Sequence, residues 1–315
     1  MNELLKPVLK LAWQIDAAIT HEANLDYPFY AFSNFTISPY NSTVSDMYRY
    51  PYWLNNYTNR ALERIDELSN ATENERQKVL SRILFLRAYA YSTLLNYFGG
   101  VPIVFSTYDN DSLLNRESAE NVANQIFSDL NQIISINNDT LKYMASQLEA
   151  RVALNQGLYQ KTFDAARRVI DSRRYTLSDE MTWGSDAVGE AVDIQLPSVM
   201  SKGELSYPFR YAEILLLYAE AAIGLGNNTI ALQTVNQLEQ WQTLSETQSA
   251  NTEDIKNSIN NLWSVILNKE GHRFAQLKRS GKFLESLAQY GAEEKHKLLP
   301  IPDRTYIPQN PGWEN

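Results

Sequence analysis

Phe85-Leu86-Arg87-Ala88-Tyr89-Ala90-Tyr91-Ser92-Thr93-Leu94-Leu95-Asn96-Tyr97-Phe98-Gly99-Gly100-Val101-Pro102-Ile103-Val104 decides how this chain is read. Leu80, Ile83, Leu84, Ala88, Tyr91, Leu94, Leu95 and Phe98 keep three-and-four spacing over five turns, the period of a helix with one buried face. Gly99-Gly100 ends it, because glycine takes the left-handed conformations that close helices, and Pro102 cannot continue one. Upstream, Thr72-Glu73-Asn74-Glu75 has the form of a capping box. The pattern therefore predicts a buried helix over about 73–97 with both ends marked in the sequence.

The same reasoning predicts further helices at about 3–20, 57–69, 118–135, 141–156, 160–172, 206–225, 229–242 and 252–279. Ala150-x-x-Ala153-x-x-x-Gly157 recurs as Ala219-x-x-Ala222-x-x-x-Gly226. Phe163 and Ala166 follow the first glycine as Leu232 and Val235 follow the second. The offset is close to twice the ~34-residue period of tetratricopeptide units. Small residues let paired helices approach, and glycine turns the corner between them. The expected fold is all-α: one domain over 1–315, with tetratricopeptide-type helix pairs within about 57–172 and 206–279 and irregular loops between. Residues 295–315 read as an extended C-terminal segment.

Two stretches do not read as scaffold. Residues 25–57 interleave Tyr27, Phe29, Tyr30, Phe32, Phe35, Tyr40, Tyr48, Tyr50, Tyr52, Trp53 and Tyr57 with Asn, Ser and Pro, and are expected to be an ordered aromatic loop. Residues 173–208 place Trp183 among Gly, Ser, Asp and Pro. Loops carried on a rigid frame are where binding residues concentrate.

Bulk chemistry narrows the function. The chain has 37 acidic and 28 basic residues, for a net charge of −9, so there is no basic footprint for a nucleic-acid backbone. No run of 18 apolar residues could span a bilayer as a helix. With no cysteine there are no disulfides, thiolate metal sites or cysteine nucleophiles. His21, His272 and His296 show no metal-ligand spacing, and Asp109-Asn110-Asp111 lacks the glycine and distal glutamate of a calcium loop. No nucleophile elbow, phosphate loop or dinucleotide fingerprint occurs. Glu213 and Glu220 read as partners of Arg87 or Arg210 rather than an acid–base pair. Arg87 and Arg273, on apolar faces, are expected to need paired carboxylates. No cofactor and no enzymatic activity are indicated.

Four blocks carry a family resemblance. The Phe-Leu-Arg-Ala helix with its Gly-Gly-Val-Pro exit is joined by Arg210-Tyr211-Ala212-Glu213, Glu270-Gly271-His272-Arg273 with Leu277-Lys278-Arg279, and Leu299-Pro300-Ile301-Pro302-Asp303-Arg304 with Gln309-Asn310-Pro311-Gly312-Trp313. In content and order they resemble the SusD/RagB family of surface nutrient-binding lipoproteins of Bacteroidota. The resemblance implies a tetratricopeptide-based scaffold that binds an oligosaccharide at the outer face of the outer membrane. It also implies delivery to a TonB-dependent SusC-like transporter, without covalent chemistry. Peptide binding, as in RagB-like members, and a pure protein-interaction scaffold stay open as alternatives.

By region, the resemblance places ligand contacts shortly before the Phe-Leu-Arg-Ala helix, and others in later loops. Sugar rings stack their apolar faces on aromatic side chains while amides and guanidinium groups bond the hydroxyls. The candidates are therefore Tyr48, Arg49, Tyr50, Tyr52, Trp53, Asn55 and Trp183. Family members carry a signal peptide and a lipid-bearing cysteine. Residues 1–20 lack the apolar core of such a peptide, so the sequence is expected to start downstream of the anchor, a cytoplasmic protein being the alternative. Members are commonly about half as long again, and the 175–210 connection is short here, which favours a smaller ligand or a mainly transporter-facing role. Gln276 and Ser280 also depart from the residues usual at their positions.

Overall fold

The structure is a computed structural model that describes residues 2–107, 115–136, 139–177, 187–200 and 205–302. Its long helices are α1 (Asn2–Ile19), α3 (Ser42–Glu63), α4 (Glu73–Phe98), α5 (Ala119–Ser135), α6 (Asp139–Asn155), α7 (Tyr159–Ile170), α8 (Tyr211–Gly224), α9 (Asn228–Trp241) and α10 (Thr252–Ile266). Short helices α2 (Tyr30–Ser33), α11 (Arg273–Arg279) and α12 (Phe283–Leu287) complete the set. Among the described residues the only ladder pairs β1 (Val192–Asp193) with β2 (Leu205–Ser206), antiparallel. The fold is thus all-α, as the periodicity predicts. Neighbours in sequence pack as neighbours in space, from α3 on α4 through to α8 on α9, and one apolar cluster extends from Leu5 to Ile301.

The helix ends follow local chemistry. Thr72 and Glu75 form the predicted capping box: the Glu75 N–H donates to Thr72 Oγ1, and the Thr72 N–H donates to Glu75 Oε2 at 2.8 Å. Asn41 caps α3, accepting from the Thr43 and Val44 N–H groups. At the other end of α4, Gly99 has φ +70°, and a Cβ on Gly100 would lie 2.1 Å from the Glu117 carbonyl oxygen. Only glycine permits that approach. The carbonyls of the last turn are then satisfied one by one. Leu95 accepts from the Gly99 N–H, Asn96 from Lys278 Nζ, Tyr97 from the Leu299 N–H and Phe98 from Arg116 Nη2.

The repeat is visible as geometry. In the α6–α7 pair, Leu158 N–H donates to Ala153 O at 2.9 Å and Gly157 N–H to Leu154 O at 3.0 Å. In the α8–α9 pair, Asn227 N–H donates to Ala222 O at 2.8 Å and Gly226 N–H to Ile223 O at 3.0 Å. The same closing motif falls at the same 69-residue offset, with Gly157 and Gly226 at φ +72° and +76°. Ala150, Ala153, Ala219 and Ala222 are all fully buried, which lets the paired helices pack closely.

Two expectations are corrected. The 252–279 segment is not one helix. It breaks between α10 and α11 at Gly271, which has φ +78° and lies so close to Trp13 of α1 that a Cβ would sit 2.2 Å from the indole. Nor is 25–57 a loop throughout, because α3 begins at Ser42 and carries its aromatic residues on a continuous helix with Pro51 inside. An interior proline costs a helix about 3 kcal/mol in isolation. Here Val44, Met47, Tyr48, Pro51 and Leu54 are buried together, and that packing outweighs the local preference.

Candidate functional site

α3 sorts the sequence-predicted residues by face. Tyr48, Tyr52, Asn55 and Asn59 fall at successive turns on the side toward α4, whereas Arg49, Trp53 and Tyr57 fall on the opposite side. Tyr48 is buried and meets Phe98 edge-on at 5.0 Å. Tyr52 donates its hydroxyl to Pro102 O at 2.7 Å. Asn55 is 1% exposed and donates to Val104 O at 3.0 Å and to Tyr91 Oη at 3.1 Å, and Asn59 donates to the same Val104 carbonyl at 2.9 Å. Three residues proposed from the sequence as ligand contacts therefore fasten the Gly-Gly-Val-Pro exit to α3. The reason is rotational: a helix turns every third or fourth side chain inward, which a loop reading could not anticipate.

The outward residues meet in a groove against α1. Trp53 is 52% exposed, its ring lies 5.5 Å from that of Tyr50 at a 32° tilt, and Arg49 stands 4.6 Å over the indole. Arg49 also reaches the Tyr50 ring at 5.8 Å and pairs with Asp46. Tyr57, 56% exposed, extends the aromatic shelf, closed on the α1 side by Leu4, Pro7 and Val8. This apolar hollow of about 260 Å³ shares Tyr50 and Pro7 with a second, more polar trough of about 550 Å³. The trough runs past Lys10 and Gln14 of α1, Thr43 and Asp46 of α3, and Asp193 and Gln195 beyond. Apolar shelf beside polar trough is the mixture a sugar chain requires, with ring faces on one part and hydroxyls on the other. Arg49, Tyr50 and Trp53 are brought together, and Trp183 lies outside the described residues. Tyr57 and the α1 wall were not singled out by sequence reasoning. The four-residue spacing of Arg49, Trp53 and Tyr57 was the signal that would have found Tyr57.

Four arginines of the interior are engaged with carboxylates. Arg87 grips Asp129 of α5 through two bonds of 2.8 and 2.7 Å. Arg151 holds Glu213 through 2.7 and 2.6 Å, with Gln147 as a further donor. Arg279 holds Glu220, and Arg210 holds Glu270 at 2.6 Å. The expectation that Glu213 and Glu220 are ion-pair partners stands, but neither pairs with Arg87 or Arg210. Arg273 donates to Asn260 and to Gln276, so a neutral amide serves where a carboxylate was expected.

Burial opposes ionisation of Glu213, yet Arg151 and His272 hold its carboxyl below the usual range. Burial pushes the His272 imidazole down to about 4 despite the attraction of Glu213. The Arg-Tyr-Ala-Glu and Glu-Gly-His-Arg blocks are thus joined by the Arg210–Glu270 pair, with His272 Nδ1 3.6 Å from Glu213 Oε1. His21 stacks on Tyr290, and His296 accepts from the Glu293 N–H. Among the described residues no three His, Asp or Glu side chains gather to hold a metal ion, and no helix is long and apolar enough to cross a membrane.

Comparison with known proteins agrees with this architecture. Residues 14–154 match a family described as "Starch-binding associating with outer membrane", and residues 196–315 match the SusD family. A SusD superfamily protein from Bacteroides vulgatus superposes with a TM-score of 0.84 at 16% identity, over 98% of this chain and 96% of that one. A SusD-like protein from Bacteroides fragilis gives 0.82 at 15% identity, over 96% and 93%. A laminarin-binding SusD-like protein gives 0.77 at 18% identity, over 98% and 96%. A structure determined with a xylogluco-oligosaccharide gives 0.75 at 13% identity over the same shares. No curated protein gave a significant match. The two family matches take in most of the chain and contain all four sequence blocks, and the chain belongs to the SusD/RagB family of outer-membrane-associated, carbohydrate-binding proteins.

Proposed function

We propose that the groove between α1 and α3 binds an oligosaccharide at the outer face of the outer membrane, and that the protein delivers it to a TonB-dependent SusC-like transporter without altering it. The observation that carries this reading is the adjoining pair of rings at half-buried Tyr50 and exposed Trp53, with Arg49 standing over both, at the mouth of a polar trough. Indole and phenol offer flat apolar faces, Arg49 and Gln195 offer donors, and Asp46 and Asp193 offer acceptors. Neighbours of the same fold that bind laminarin or hold a xylogluco-oligosaccharide support the ligand class. The family description supports the membrane location. Shallow, wet sites of this kind bind at roughly micromolar to millimolar strength.

Calorimetric titration with laminari- and xylogluco-oligosaccharides tests the reading. Saturable binding that Trp53→Ala weakens by about tenfold or more, with melting unchanged, is the expected result. Equal binding by wild type and Trp53→Ala would move the site elsewhere. Trp183→Ala tests separately whether the second predicted region contributes. Co-purification with a SusC-like barrel tests the delivery step.

A further inference from the structure

A second concavity lies on the other side of α4, where that helix ends against α6 and α11. It measures about 320 Å³ and is lined by Ser92, Asn96, Asn155, Lys278, Arg279 and Lys297 among others. Ser92, Asn96, Asn155 and Arg279 are shared with a smaller inner cavity of about 70 Å³ that reaches Arg151, His272 and Trp263. Neither shares a residue with the α1/α3 groove.

The two cavities are rich in donors and poor in acceptors. Among the described residues the outer one is lined by three basic side chains, Lys278, Arg279 and Lys297, and no carboxylate, on a chain whose net charge is −9. The inner one has a single carboxylate, Glu213, and both its oxygens are already bonded by Arg151. Asn155 Oδ1 accepts from Arg279, and the Asn155 NH₂ is a further donor on the same lining. Lys278 donates to Asn96 O; burial pushes its amine down to about 7, and in either protonation state it keeps at least one further N–H group. Lys297 is half-exposed and pairs with Glu294 at 2.7 Å, which leaves further N–H groups on its amine. Trp263 is 3% exposed and its indole N–H is buried without an acceptor. Indole nitrogen can only donate, so this N–H is left to whatever acceptor can reach it.

The kind of acceptor follows from which donors are open. The guanidinium forks of Arg151 and Arg279 are closed on Glu213 and Glu220, so the planar two-point grip that suits a carboxylate is taken. What remains are the amines of Lys278 and Lys297 and single N–H groups, carried on α6, α10, α11 and the Lys297 segment. Separate donors from several directions suit a tetrahedral anion, and the outer cavity has room for more than an ion. We propose that this double cavity binds a small molecule carrying a phosphate or sulfate group, either the free ion or its ester on a single sugar.

Titration calorimetry of the full chain with glucose 6-phosphate, inorganic phosphate and glucose, in dilute chloride buffer, tests the assignment. Saturable binding of a phosphate-bearing probe and none of glucose is expected. Lys297→Gln and Trp263→Phe should each weaken it by about fivefold or more. Glucose 6-phosphate binding about tenfold tighter than phosphate identifies the ester as the ligand, and equal binding identifies the free ion. The proposal is overturned if neither probe binds, if glucose binds as well as its phosphate, or if both probes bind a folded Lys297→Gln protein as they bind wild type. Because Lys297 is half-exposed, that variant reports on the site even if Trp263→Phe fails to fold.

Discussion

Arg49 and Arg87 sit on neighbouring helices and are used in opposite ways. Arg87, 8% exposed, closes both ends of its fork on Asp129 between α4 and α5, and Gln125 donates to the same carboxylate. Arg49 is exposed on the outer face of α3, where it lies over Trp53 and Tyr50. The same division runs through α3 itself. Its inner face gives Tyr52 and Asn55 to backbone carbonyls of the 102–104 segment, and its outer face leaves the rings of Trp53 and Tyr57 exposed. Polar groups whose bonding capacity is filled within the fold maintain the fold, while groups held in place with capacity to spare are available to a ligand.

That contrast can be broken by mutation, most severely at Asp129. Asp129→Ala leaves the Arg87 guanidinium buried without its partner and is expected to cost about 3–5 kcal/mol. Thermal melting reads this as the largest drop of the series, and a shift of a degree or two would mean that Arg87 escapes to water. Next comes Asn55→Ala, which removes the donor to Val104 O and Tyr91 Oη from a buried site, at about 1–3 kcal/mol. Chemical denaturation measures it. Oligosaccharide binding by the folded fraction should be unchanged, and a variant that keeps its stability but loses binding would place Asn55 in the ligand site after all.

Tyr52→Phe removes only the hydroxyl that reaches Pro102 O and should cost about 1 kcal/mol, again without effect on binding. Trp53→Ala is expected to have the least effect on stability, about 0.5 kcal/mol, since the side chain is 52% exposed. It should also have the greatest effect on binding. If the two rankings, by stability and by binding, ran in the same order, the division between the faces of α3 would not hold.

A pH experiment sharpens the interior side. His272 has its folded-state value pushed down to about 4 from 6.5, so between those limits the unfolded chain binds a proton that the folded one does not. Stability from this group is therefore present above pH 6.5 and is lost as pH falls toward 4, by up to about 1.4 kcal/mol per pH unit. His272→Asn should flatten that part of the stability profile. Identical profiles for variant and wild type across pH 4–6.5 would show that the ring takes up its proton without cost in the fold.

Much of the architecture was legible because it is written in local rules. The capping box at Thr72 and Glu75, the glycine exit at Gly99-Gly100 and the paired turns at Gly157 and Gly226 each depend on residues within one or two turns of each other, and each is found as read. The α3 helix was not legible. Pro51, the asparagines and the tyrosines of 48–57 are weak helix formers, and what holds them helical is burial of Val44, Met47, Tyr48 and Leu54 against distant parts of the chain. Without the helix, its faces could not be assigned, and Tyr48, Tyr52 and Asn55 could not be told from Arg49, Tyr50 and Trp53.

The sequence by itself determined the helical class, most helix ends, the repeat and, through four ordered blocks, the family. Only the tertiary structure decided which arginine meets which carboxylate: Arg87 finds Asp129, Arg151 finds Glu213 and Arg279 finds Glu220 across 42, 62 and 59 residues of chain. It also decided which aromatic residues stay in water. Helix starts and stops are fixed by hydrogen bonds between near neighbours, so the order of residues is enough to reveal them. Pairing across the core and exposure at the surface depend on how whole helices rotate and dock to bury their apolar faces, and that is settled only by the packing of the complete chain.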